Sequence, residues 1–213
     1  MKVATAAQMR EIDRRAIDEH GLAGFDLMRR AGAAMTGAVL DFSPEASDVA
    51  LVLCGPGNNG GDGYIVARML LAAGRAVRVM APLGEPRGGE ALRALDEYRA
   101  AGGPAPGAWS AEMLRDWLGE ADVVVDALLG TGARSPLREP LGEIVERVNA
   151  SRVPVVAADI PTGLDADTGA GEPILRAACT VTIGLPKLGM LSAQGRRACG
   201  VVPVSTPMHS ATS

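Results

Sequence analysis

Apolar residues along this chain fall into two kinds of run, and their alternation sets the expected architecture. Short, largely apolar runs, several of them β-branched, at Val49 to Leu53, Ala76 to Met80, Val123 to Ala127, Pro154 to Ala158, Cys179 to Ile183 and Gly200 to Val204 read as strands, those at Val49 to Leu53 and Val123 to Ala127 as buried ones. Between them, apolar positions recur three and four residues apart, as on one packed helix face. Tyr64 to Ala73 spaces Ile65, Met69 and Ala72 in this way, and Leu92 to Ala101 is the next helical run. Ser110 is placed to cap a short helix through Leu118, and Ile144, Val145 and Val148 mark another.

Two helices precede the first strand. One opens at Thr5-Ala6-Ala7-Gln8, which has capping-box spacing, and ends near His20-Gly21. The other covers Phe25 to Leu40, where Gly32, Ala33 and Ala34 offer a surface for close helix approach. The whole pattern predicts an α/β fold, a Rossmann-like three-layer α/β/α sandwich with a mostly parallel sheet and two extra N-terminal helices. Residues 1–213 are expected to form a single domain with its core at about 5–204, and the tail after Pro207 is too polar and short to pack.

Composition changes this picture mainly by exclusion. With 47% hydrophobic and 22% charged residues the chain can bury one substantial core. A net charge of -4 with dispersed Lys and Arg, and only two each of Trp, Tyr and Phe, leaves neither a phosphate-backbone footprint nor a stacking platform, so no nucleic-acid partner is expected. No apolar run approaches the roughly 18 residues of a membrane span, and the N-terminus lacks the order of a signal peptide. A cytoplasmic protein with no membrane partner is the expectation. Cys54, Cys179 and Cys199, odd in number and widely spaced, read as free structural thiols.

The chemistry-bearing residues cluster after strands. Between an expected strand and an expected helix lies Cys54-Gly55-Pro56-Gly57-Asn58-Asn59-Gly60-Gly61-Asp62-Gly63. Glycines allow close backbone approach, and the free amides of a following helix attract anions, so this arrangement suits a phosphate. The plain alternative is a tight strand-to-helix turn, against which stand three polar side chains, Asn58, Asn59 and Asp62. Two further polar loops, Asp126 to Pro136 and Asp159 to Asp165, also follow strands directly. In a parallel sheet all three meet at the carboxyl edge, where ligands bind near the point of strand-order reversal.

Three familiar chemistries are disfavoured. Gly55, Gly57 and Gly60 satisfy a dinucleotide fingerprint, but Ala81 and Pro82 stand at the end of the next strand, where a ribose-binding acid belongs. No Gly-Lys-Ser/Thr ending is present to grip β- and γ-phosphates. His20 and His209 form no triad or zinc constellation.

Gly55-Pro56-Gly57-Asn58-Asn59-Gly60-Gly61-Asp62-Gly63, Val124-Val125-Asp126-Ala127-Leu128-Leu129-Gly130-Thr131-Gly132 and Asp159-Ile160-Pro161-Thr162-Gly163-Leu164-Asp165, in this order, resemble the NAD(P)H-hydrate epimerases, the N-terminal-type domain of the bifunctional nicotinamide-nucleotide repair enzymes. Gln8 to Asp13, Leu27 to Gly32 and Gly184 to Gly189 are similar to that family's opening helices and late proline-lysine turn, so the resemblance covers about residues 5 to 200. It implies an isomerase that interconverts the R and S forms of hydrated NADH and NADPH, with the hydroxyl at C6 of the reduced ring lost and water re-added. The hydrated dinucleotide is then the substrate, and no redox cofactor is needed.

On this resemblance Asp159 is the catalytic acid/base, with partial burial keeping some protonated form available. A capping acid for the Pro161-Thr162-Gly163 turn is the alternative. Asn58, Asn59, Gly60, Gly61 and Asp62, together with Gly130, Thr131, Gly132, Ala133, Arg134, Ser135, Pro136 and Asp159, are implied to bind substrate. Arg134 is placed for phosphate, or else is a solvated loop arginine. One potassium ion per subunit is implied at Asn59, Asp126 and Thr162, an all-oxygen set suited to a hard cation. Asp126 has the alternative of being satisfied by loop amides. An S-specific dehydratase as pathway partner and a homodimer complete the expectation. From another class, the fold also serves as a non-catalytic nucleotide-binding or dimerisation module.

Overall fold

The computed structural model describes residues 2–19, 23–132 and 136–205. Six strands, β1 (Val49–Cys54), β2 (Ala76–Met80), β3 (Val123–Ala127), β4 (Val155–Ala158), β5 (Cys179–Ile183) and β6 (Val204–Ser205), form one sheet in the order β2-β1-β3-β4-β5-β6. Every pairing is parallel. From β1 the chain crosses to the edge at β2 and returns to β3 on β1's other side, so strand order reverses between β1 and β3.

Burial on both faces explains why the strands read as continuous apolar runs rather than alternating ones. Ala50, Val52 and Cys54 of β1, with Val123 and Val125 of β3, pack beneath α2 (Gly24–Phe42), α3 (Asn58–Ala72) and α4 (Gly89–Ala100). Leu51, Leu53 and Val124 point the other way, onto α5 (Ala111–Glu120) and α6 (Leu141–Ser151). The three-layer sandwich follows from this two-residue alternation between two apolar covers.

α1 (Ala6–Asp18) begins as its sequence requires, since Gln8 N donates to Thr5 Oγ1 at 3.2 Å and Thr5 N to Gln8 Oε1 at 2.9 Å. The expected end near His20-Gly21 lies outside the described residues. The segment before α1 is strapped to the late proline-lysine turn: Ala4 N donates to Pro186 O at 3.0 Å, and Leu188 N to Ala4 O at 3.0 Å. This strap carries α1 to the carboxyl edge of the sheet.

Three expectations are revised. The helix after β1 starts at Asn58, not Tyr64, so the polar residues of the glycine run occupy its first two turns. Its glycines are there for packing. A Cβ on Gly60 would lie 1.8 Å from Gly55 O, and one on Gly63 would lie 2.7 Å from Ala127 Cβ, so the helix gives up intrinsic propensity for contact with the sheet. Gly32 likewise meets Ile65 of α3, so of the three small residues of α2 it packs inside the subunit, while Ala33 and Ala34 are exposed. Finally, the last strand is reduced to Val204–Ser205 plus a bridge at Val201, because Pro203 has no amide to donate and Gly200 turns the chain at φ 60°. Before it come a 3-10 turn at Leu188–Leu191 and α7 (Ala193–Cys199), too short to show a period in the sequence.

Candidate functional site

The loops after β1 and β3 touch at the reversal point. Gly55 N donates to Ala127 O at 2.9 Å, and a Cβ on Gly55 would fall 1.9 Å from Leu128 O. Only glycine lets the two backbones pass so closely. The first return bond of α3 runs from Gly61 N to Gly57 O at 3.0 Å. The amides of Asn58, Asn59 and Gly60 therefore stand at the helix N-terminus without an intrahelical acceptor, and an anion is the group they suit.

These amides open onto a cleft of about 460 Å³. Pro56, Gly57, Asn58, Asn59 and Asp62 form one wall and Leu128 to Gly132 the floor, while Asp159, Ile183 and Lys187 form the opposite wall, with Met9 and Asp13 of α1 at the rim. Of the expected substrate-binding residues, Asn58, Asn59, Asp62, Gly130, Thr131, Gly132 and Asp159 line this cleft. Gly60 and Gly61 do not, being buried against Gly55 O and Met28. Pro136 is exposed away from it, and Ala133, Arg134 and Ser135 lie outside the described residues.

Asp159 follows β4 with φ 66°, a left-handed conformation uncommon outside glycine. Strain of this kind costs on the order of 1–3 kcal/mol and collects at functional sites. Its Oδ1 accepts from Ile183 N at 3.2 Å and from the ammonium of Lys187. Lys187 is 1% exposed, and its Nζ also donates to Thr182 Oγ1 and to Ile183 O, each at 2.9 Å. None of the turn amides at 161–163 reaches Asp159, so the capping alternative fails. The side chain enters the site paired with the buried Lys187 ammonium.

The acid that holds that turn is Asp126. Its Oδ2 accepts from Thr162 N at 2.8 Å, and its Oδ1 from Thr162 Oγ1 at 2.7 Å and Leu128 N at 3.3 Å. Both residues are 0% exposed and lie beneath the cleft rather than in its wall. Burial raises the Asp126 carboxyl to about 6, against which the Thr162 and Leu128 bonds act. Asn59 completes the expected cation set less directly. Its Nδ2 is buried with no hydrogen-bond partner, and its Oδ1 is 3.3 Å from the Cβ position of Gly130. The unpaired Nδ2 is a donor and suits an acceptor, so the fit to a hard cation rests on the oxygens of the set, Asn59 Oδ1, the Asp126 carboxylate and Thr162 Oγ1.

Two further carboxyls border the cleft. Asp62 is 6% exposed, and its pKa is pushed well above the ordinary carboxylate value by burial and by the charges of Asp159 and Asp13, with Lys187 opposing. Asp13 is raised by partial burial and by Asp159. Sequence reading left Lys187 and Asp13 without roles. The available signal was a lysine in the otherwise apolar run Gly184-Leu185-Pro186-Lys187-Leu188-Gly189, directly after a strand.

A model of the family described as YjeF-related protein N-terminus matches residues 24–189. The chain belongs to this family. Within it, the chain is 40% identical to the NAD(P)H-hydrate epimerase of Rhodopirellula baltica, covering 96% of this chain and 85% of that one. It is 35% identical to the NAD(P)H-hydrate epimerase of Limosilactobacillus fermentum, over 96% of each. It is also 43% identical to the bifunctional NAD(P)H-hydrate repair enzyme Nnr of Pyrobaculum aerophilum, but spans only 42% of that protein's length. Among solved structures, the yeast protein ynu0 of this fold superposes with a TM-score of 0.83 at 26% identity, over 96% of this chain and 87% of that one.

Proposed function

We propose that this chain is an NAD(P)H-hydrate epimerase, interconverting the R and S forms of hydrated NADH and NADPH. The observation that carries the reading is the pairing, in one cleft, of the helix N-terminal residues Asn58 and Asn59, with their free amides, and the Asp159–Lys187 ion pair. The amides suit the phosphates of a dinucleotide, and the carboxylate suits proton transfer at its other end. Relatives named for this activity align with nearly the whole chain. A purely structural module has no use for a strained Asp159 paired with a buried Lys187, and we do not favour that reading.

At the carbinolamine carbon C6, the hydroxyl leaves as water with the ring nitrogen's lone pair forming an iminium, and water re-adds on the other face. Asp159 is the group that manages a proton at that oxygen. Lys187 spends its donors on Asp159, Thr182 and Ile183 and so holds the carboxylate in place. Leu128, Leu129 and Ile183 supply apolar wall against the ring.

The family's potassium ion belongs to the proposal: Asn59, Asp126 and Thr162 would hold it, and it would supply positive charge to the site. Higher activity and melting temperature in potassium than in sodium support it, and equal values in both count against it. A cytoplasmic setting is supported by Cys54, Cys179 and Cys199 being free and buried, and no described helix is long and apolar enough to cross a membrane. A homodimer is proposed with Ala33, Ala34 and Gly37 exposed on the outer side of α2, and light scattering tests it. A dehydratase acting on the S hydrate is the proposed pathway partner, consistent with the bifunctional relatives. The coupled test is direct: with an S-specific dehydratase present, a mixture of the R and S hydrates is consumed completely when this protein is added, and a remaining R fraction refutes the reading.

A further inference from the structure

Epimerisation needs a proton donor for the departing hydroxyl and an acceptor for the proton of the returning water. Asp159, paired with the Lys187 ammonium, is the acceptor. Lys187 is not the donor, because Asp159, Thr182 Oγ1 and Ile183 O take its three ammonium hydrogens. It is a positioning residue.

Resting on the epimerase reading, we propose that Asp62 is a second catalytic residue, the proton donor to the C6 hydroxyl, working opposite Asp159. Both line the same cleft. Asp62 comes from α3, which follows β1, and Asp159 follows β4, with β3 between them in the sheet. The two carboxyls thus border the cleft from different elements, and the hydrated ring is placed between them.

Asp62 is 6% exposed, and among the described residues nothing donates a hydrogen bond to its carboxylate. An unpaired buried carboxylate is costly as an anion, and the cheap form is the neutral acid. Its charged neighbours are Asp159 after β4, Asp13 on α1 and Lys187 after β5; burial and the two acids hold the proton on, and the lysine acts the other way.

The step balances without an oxidant or reductant. Asp62 gives its proton to the hydroxyl oxygen, the C6–O bond breaks, and the nitrogen lone pair forms the C6=N1 bond as water leaves. Water then adds to C6 from the Asp159 side, and its extra proton passes to the Asp159 carboxylate. Asp159 is now the acid and Asp62 the base, which is the state required for the reverse epimerisation. Asp13, exposed at the rim and charge-coupled to both, is placed to return the proton through solvent.

The test uses purified R hydrate of NADH and follows the S form by chiral chromatography. For Asp62→Asn the expected result is a kcat loss of about 10²- to 10⁴-fold, the usual worth of a positioned proton donor, with KM within about threefold and no drop in melting temperature. The alkaline fall of kcat in the wild type disappears in this variant. In Asp62→Ala, added formate restores activity at least tenfold. A kcat within twofold of wild type, or a loss confined to KM, overturns the proposal and leaves Asp62 as a binding group, with the epimerase reading intact. A wild-type protein inert toward the R hydrate overturns that reading and this proposal together.

Discussion

Replacing Lys187 with methionine tests the arrangement on which the site depends. The side chain keeps its apolar stem and loses only the ammonium. Three acceptors then lose their donor: Asp159 Oδ1, Thr182 Oγ1 and Ile183 O. Removing one member of a buried ion pair typically costs about 3–5 kcal/mol, because the partner charge is left uncompensated. Here the partner side chain is 13% exposed, so water recovers part of that loss and a cost of about 2–4 kcal/mol is expected. For a chain of this length each kcal/mol is worth roughly 2–4 °C, which gives a melting-temperature drop of about 5–15 °C.

Thermal denaturation of Lys187→Met, Asp159→Asn and the double variant completes a cycle. The double variant is expected to recover at least about 1 kcal/mol relative to the sum of the singles, since neither charge is then left alone. Epimerisation by Lys187→Met falls about 10²-fold, as misplacement of a catalytic group by about an ångström commonly does. Additivity within about 0.5 kcal/mol, or a Lys187→Met protein as stable and active as wild type, would refute the ion pair and the positioning role together.

Three further outcomes follow from single residues. Gly60→Ala forces a Cβ to 1.8 Å from Gly55 O and should cost about 3 kcal/mol or more, whereas Gly57→Ala meets nothing within 4 Å and should stay within about 0.5 kcal/mol of wild type; equal melting temperatures for the two would contradict the packing argument. Tyr64 is fully buried with its hydroxyl unpartnered, so Tyr64→Phe should be neutral or stabilising by about 1 kcal/mol in a denaturant titration, and a clear loss would reveal a missed acceptor. Asp62 has a raised folded pKa, so the stability tied to its proton is complete below the ordinary carboxylate range and is lost as pH rises through the folded value; Asp62→Asn should match wild type near pH 3.5 and melt higher as pH rises, and parallel pH curves would argue against a buried neutral acid.

The central strands β1, β3 and β4 were legible because each is buried along nearly its whole length, and the parallel order followed from the helices between the strands. The start of α3 was not legible, since Gly60, Gly61 and Gly63 look like loop residues while serving as contact points in a helix. Three loops meeting at one edge could be inferred from strand ends alone. Which acid held which partner could not: Asp126 lies 36 residues before the threonine it binds, and Asp159 lies 28 before its lysine. Asp13 reaches the cleft only because Ala4 pairs beside Lys187, a bridge across most of the chain that no local pattern announces.

The most direct measurement of the central claim starts from each pure epimer of hydrated NADH, with this protein as the only enzyme present. Chromatography should show both samples converging, far faster than without protein, on one common ratio of R to S, with no oxidation or reduction of the ring and with total hydrate conserved. Samples that keep their starting composition at the protein-free rate would contradict the account, however tightly the hydrates bind.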